Sequence, residues 1–332
     1  MPAITNFLNR YFNKEQPKPP PISTASAAAL LVIYTLFYVV PFYLSSTTRP
    51  SRTLSRDAPS VIRARVASVS LTCVVCSLIT FVILTSQGRA TNGEALHSMG
   101  YWPLGLAETG RSLLLTAILF GGPLYETLLV DGGWRRWFSL QPVSGLFSEW
   151  ISWRNIIAGP FTEEVLFRSA SVPLMLIAQT SVARTIFLSP VIFGLAHFHH
   201  FYEFRVTHPH EPVATGLLRS LLQFSYTSLF GAYATFLFLR TGSLLAIFVV
   251  HAFCNIMGLP RLWGRVEPSS DGDDAGGNDD RDGGKAGLKT PKTSSILWSV
   301  VYYVLLVGGA VGWWRNLGAL TASDNALVAM KI

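Results

Sequence analysis

The chain has 332 residues, of which 50% are hydrophobic and only 14% charged, and its mean hydropathy is +0.37. Apolar runs long enough to cross a hydrocarbon core of about 30 Å recur along most of the length, which predicts an all-α, polytopic membrane helical bundle rather than a water-soluble enzyme. Cys73, Cys76 and Cys254 all sit in apolar runs, and Cys73-x-x-Cys76 lacks the second ligand pair of a zinc or redox site, so the three read as helix-packing residues.

Residues 1–24 form a polar, proline-rich tail without an apolar core, so no cleaved signal peptide is expected. Windows of about 17 to 25 apolar residues then place eight spans near 25–45, 66–86, 111–130, 154–178, 184–200, 217–239, 242–258 and 296–314. They make a single membrane domain over 25–320, followed by a C-terminal tail at 321–332. Polar residues interrupt the fourth to seventh spans, and the fifth and seventh are short. Lys and Arg are more numerous in the loops after spans one, three, five and seven, which assigns those loops to the cytosol; Arg49, Arg52, Arg56, Arg63 and Arg65 give the firmest support.

The loop at about 266–292 differs in kind. Between Glu267 and Asp282 it carries seven acidic residues among glycine and serine with no apolar periodicity, which predicts disorder, and it lacks the closing glutamate of a calcium loop. Outside that stretch the chain has 25 basic and 12 acidic residues, a balance suited to anionic lipid headgroups; no nucleic-acid-binding pattern accompanies it.

Chemistry concentrates in residues 150–260. Two adjacent carboxylates, Glu163 and Glu164, interrupt the fourth span, where even lenient scales charge roughly 2.5 to 3.5 kcal/mol for each. Glu164 and Arg168, four apart, share a helical face and pair, whereas Glu163 points about 100° away with no local partner. One carboxylate is thereby marked as structural and the other as free to act. The fifth span ends in Phe193-Gly194-Leu195-Ala196-His197-Phe198-His199-His200; His197 lies among apolar neighbours at the depth of Glu163, while His199 and His200 read as interfacial. In the seventh span His251 and Asn255 share a face after a wholly apolar run.

A carboxylate, an imidazole, and a second imidazole with a carboxamide match the needs of peptide hydrolysis: a base to activate water and donors for the oxyanion. The residues alone leave a zinc site open, although no His-Glu-x-x-His occurs and Arg168 is an awkward neighbour for a dication. They also leave open an ion- or proton-coupled transporter with a Glu163, His197 and His251 relay, for which neither inverted repeats nor polar groups toward the far side are found, and a non-catalytic scaffold.

Glu-Glu-x-x-x-Arg (Glu163, Glu164, Arg168), Phe-x-x-x-His (Phe193, His197) and His-x-x-x-Asn (His251, Asn255), in that order on successive membrane helices, resemble the motifs of the type II CAAX protease (ABI) family of glutamate intramembrane proteases. The resemblance implies a multi-pass endopeptidase of the endoplasmic reticulum membrane. Its substrates would be farnesylated or geranylgeranylated CAAX proteins, Ras-type GTPases among them, from which it removes the last three residues. It further implies that Glu163 and His197 activate water, that His251 and Asn255 stabilise the oxyanion, that Glu164, Arg168 and Phe193 support the site, and that no metal or other cofactor takes part. The acidic loop has no counterpart in the family pattern.

Overall fold

Prolines set where several helices begin and where one is interrupted. The computed structural model describes residues 19–139, 141–268 and 292–330, and among these the regular structure is helical. Helix α1 (Thr24–Val39) is capped by Ser23, whose hydroxyl accepts from the Ser26 amide, and the chain continues through a short turn at Pro41–Leu44. Helix α2 (Pro59–Ser86) starts on Pro59, the first-turn position where a missing N–H costs nothing. Helix α3 (Leu106–Leu119) is followed at an 83° bend by Gly121–Val130.

The fourth predicted span is helical but broken. A π turn at Arg154–Ala158 leads into α4 (Gly159–Glu164), a second π turn covers Val165–Ala170, and α5 (Val172–Ile177) completes it. Beyond it come α6 (Val182–Ala196), α7 (His199–Thr207), α8 (Val213–Thr241), α9 (Leu244–Met257) and α10 (Lys292–Leu320). All eight expected windows therefore hold helix. Four stretches, 24–44, 59–86, 182–207 and 296–320, are long and apolar enough to cross a membrane, and the bent pair around residue 120 makes a fifth.

The remaining three windows fall short for different reasons. The fourth alternates between α and π registers and turns at Ser171. Helix α8 is 29 residues long but carries Arg219, Ser220, Gln223 and Ser225 in its first half. At 14 residues α9 rises only about 21 Å, less than the hydrocarbon thickness. These three enclose the polar residues, and the core around them is formed by Leu166, Phe167, Phe193, Leu237, Ile247 and Val250. The complete spans instead expose apolar side chains outward, among them Leu36 on α1, Leu71 and Leu78 on α2, and Val300 and Val304 on α10, the distribution expected of a multi-pass membrane protein.

Helices α6 and α8 approach closely at two glycines, as small residues permit in membrane bundles. A side chain at Gly194 would meet Ser228 and Phe224, and one at Gly231 would meet Pro190 Cβ at 2.7 Å and Arg168 Nη2 at 3.1 Å. The segment after α10 is docked: Leu327 N–H donates to the Leu239 carbonyl, and Arg240 donates to Thr321 Oγ1 and to the Gly318 and Met330 carbonyls. Most of the acidic loop and of the N-terminal tail lies outside the described residues.

Candidate active site

The site is built on a backbone irregularity. In the π register the Gly159 amide bonds back to the Arg154 carbonyl, five residues earlier, so the next donor in that register would be residue 160 to the carbonyl of Asn155. Residue 160 is proline and has no N–H to give. Asn255 on α9 fills the gap: its Nδ2 donates to the Asn155 carbonyl at 2.8 Å. One amide proton of Asn255 is thereby fixed, and the second is left to point elsewhere.

Immediately after this junction the two glutamates diverge. Glu164 is fully buried; its Oε1 accepts from Arg168 Nη1 at 3.0 Å and from His251 Nδ1 at 2.6 Å. Arg168, also buried, donates through Nη2 to the Gly231 carbonyl at 3.2 Å and lies over the ring of Phe193, 4.7 Å from its centroid. The second π turn does not break the Glu164 and Arg168 pair. The guanidinium neutralises a carboxylate that could not be buried alone. Glu163, with its side chain 21% exposed, has no such partner among the described residues: the imidazole Nε2 of His251 lies 3.8 Å from its Oε2.

Two imidazole orientations follow from their acceptors. A carbonyl oxygen can only accept, so the 2.9 Å contact between His197 Nδ1 and the Phe193 carbonyl puts the proton on Nδ1 and leaves Nε2 as the free nitrogen. Phe193 also stacks edge-on against the His197 ring at 4.8 Å, fixing its plane. His251 donates from Nδ1 to Glu164 in the same way, which turns Nε2 toward Glu163. Helix α6 ends at His197 and restarts as α7 at His199, so the imidazole emerges at a helix break.

Glu163, His197 and Asn255 line one cavity of about 420 Å³. His251 is buried beside Glu163, off that lining; Glu164, Arg168 and Phe193 lie behind the wall. The same cavity takes in side chains not expected at the site: His199 and His200, expected only at an interface, together with Tyr38, Tyr226, Arg56 and Arg154. Their contribution rests on tertiary placement, as when Tyr38 on α1 reaches Thr162 Oγ1 at 3.2 Å. A signal was available for the arginines, which sit among the basic residues flanking the spans.

A second cavity, also about 420 Å³, lies against α2 and is lined by apolar groups including Val74, Leu78, Phe81, Phe161 and Val165. Thr162 borders both cavities, one residue from Glu163. A chamber carrying charged groups and an apolar groove thus meet at Thr162, next to Glu163.

Comparison with known proteins decides the family. Residues 145–257, the stretch holding all seven motif residues, match the model described as type II CAAX prenyl endopeptidase Rce1-like. A probable CAAX prenyl protease 2 of Schizosaccharomyces pombe is 41% identical over 70% of this chain and 81% of its own length. This chain belongs to the Rce1-like family of CAAX prenyl endopeptidases. The CAAX prenyl protease 2 of Arabidopsis thaliana is 35% identical over 73% of this chain and 82% of its own, and that of Homo sapiens 31% identical over 78% and 82%. No solved structure matches. The family likeness carried by the three short motifs thus extends over most of the chain, well beyond the matched core.

Proposed function

We propose that this protein cleaves the C-terminal tripeptide from prenylated CAAX proteins at the Glu163 cavity, in the endoplasmic reticulum membrane with the cavity open to the cytosol. The observation that carries the reading is that Glu163 and the free Nε2 of His197 face one chamber while every other charged group of the motifs is committed elsewhere. In this reading Glu163 takes a proton from water as the oxygen attacks the scissile carbonyl, with His197 Nε2 accepting from the same water and orienting it. His251, which the family resemblance places at the oxyanion, gives its Nδ1–H to Glu164 and offers a bare Nε2 toward Glu163, so in this reading it receives the proton from Glu163. The uncommitted N–H of Asn255 meets the oxyanion, and the proton then passes to the departing amine.

The apolar groove bordering Thr162 would hold the isoprenoid while the peptide lies in the Glu163 chamber, so a lipid-anchored tail need not leave the bilayer to be cut. The reaction runs without metal in this reading. Glu164 is already spent on Arg168 and His251, and among the described residues no three His, Cys, Asp or Glu groups gather as ligands.

The test is proteolysis of a farnesylated CAAX peptide by the purified full chain with and without a chelator. Cleavage after the prenylated cysteine, unaffected by the chelator, is expected, and Glu163→Ala or His197→Ala is expected to abolish it while the protein stays monodisperse in detergent. Substantial activity in either variant would sink the assignment, and loss of activity on chelation would overturn the metal-free reading.

A further inference from the structure

A protease that removes three residues from a chain end must sense that end, and the chemistry of the end is a carboxylate. Three guanidiniums, Arg56, Arg65 and Arg154, line the same cavity as Glu163. They are not equivalent. Arg65 is consumed by structure: Nε and Nη2 both donate to the Thr48 carbonyl, Nη2 also meets Glu203 at 2.9 Å, and the group lies over Phe42. Arg56 is spread between Glu203 at 3.3 Å and Asp57 at 3.8 Å.

Arg154 is held by two hydrogen-bonding atoms, Nε to Asn155 Oδ1 at 2.9 Å and Nη1 to Asp57 Oδ1 at 2.7 Å. Its Nη2 makes no hydrogen bond among the described residues. The three guanidiniums pair with two carboxylates, Glu203 and Asp57, so the arginine cluster holds one positive charge more than it pairs; the other carboxylate of the cavity, Glu163, lies nine residues along the helix from Arg154. One carboxylate would balance the surplus.

Spacing supports the same assignment. Arg154 precedes Glu163 by nine residues on one continuous helical stretch, about 13 Å along the axis at the α-helical rise and somewhat less through the π turn. Three extended residues span about 10 Å, so a tripeptide running from a scissile bond at Glu163 ends where the Arg154 side chain can reach its terminus. Asn155 ties Arg154 to the proposed oxyanion donor: its carbonyl accepts from Asn255 and its side-chain oxygen from Arg154 Nε.

We propose that Arg154, flanked by Arg56, binds the α-carboxylate of the substrate and so sets the cut three residues from the end. This rests on the proteolytic reading above. The experiment compares kcat/KM for two farnesylated peptides of one sequence, ending in a free carboxylate or a carboxamide, using the full chain in detergent. The wild-type protein is expected to favour the acid by roughly 10- to 100-fold, the range of one charge-assisted contact. Arg154→Gln is expected to bring that ratio near one. Arg154→Lys, which keeps the charge and the Asp57 partner but loses the planar fork, is expected to give an intermediate ratio.

A wild-type ratio near one, or a ratio unchanged in Arg154→Gln or Arg154→Lys, would overturn the proposal. Equal loss on both peptides in both variants would make Arg154 structural and overturn it too. Absence of cleavage of either peptide by the wild-type protein would strike the proteolytic reading itself, a result distinct from all of these.

Discussion

Asn255 and Pro160 are complementary although they do not hydrogen bond: the proline cannot serve the Asn155 carbonyl, and the carboxamide does. This predicts an interaction that a double-mutant cycle detects. Asn255→Ala removes this hydrogen bond between exposed residues and the proposed oxyanion donor, so it is expected to cost about 0.5 to 1.5 kcal/mol of stability and about 10²- to 10³-fold in kcat. In a Pro160→Ala background the new amide can serve Asn155, so the stability cost of Asn255→Ala is expected to shrink while its kinetic cost persists. Equal stability costs in the two backgrounds, measured by thermal melts in detergent, would remove the coupling.

Glu164 and Arg168 predict a separation of stability from activity along one helix. Deleting one member of a buried pair strands the other charge, which typically costs about 3 to 5 kcal/mol. Arg168→Ala is therefore expected to lower the melting temperature strongly and to reduce cleavage through loss of folded protein and of His251 orientation. Glu163→Ala leaves His251 held by Glu164 and is expected to melt near the wild type yet be inactive. Comparable melts for Arg168→Ala and Glu163→Ala would contradict the distinction between the two carboxylates.

Much of this arrangement was legible in the residues, and the omissions have physical reasons. The eight windows, the pairing of Glu164 with Arg168 and the clustering of residues 150–260 follow from hydropathy and from helical neighbours four apart. The π turns were not legible, because a helix period read from hydropathy does not distinguish hydrogen-bonding registers. Their presence explains why Asn255 meets backbone at residue 155, a contact no spacing rule suggests. His251 shares a face with Asn255 as expected, yet the two diverge in partner, one to Glu164 and one to Asn155. His199, His200 and Arg154 enter the cavity through contacts between elements far apart in sequence.

The docked C-terminal segment yields the third prediction. Residues 321–332 read as a tail, but Arg240 at the end of α8 donates to Thr321 Oγ1 at 3.1 Å, to the Gly318 carbonyl at 3.1 Å and to the Met330 carbonyl at 3.2 Å. His97 Nε2 meets the Asn325 carbonyl at 3.0 Å, so the segment also ties in the short helix Asn92–Ser98 before α3. Each such contact is worth about 0.5 to 1.5 kcal/mol net, and one side chain makes three of them. Arg240→Ala is expected to destabilise the protein by about 1 to 3 kcal/mol and to raise the proteolytic susceptibility of residues 321–330, with the acid-to-amide preference of the remaining activity unchanged because Arg240 lies outside the cavity lining. Limited proteolysis read by mass spectrometry checks the first part and peptide kinetics the second; a wild-type cleavage pattern in the variant would show that the segment is held by something other than Arg240.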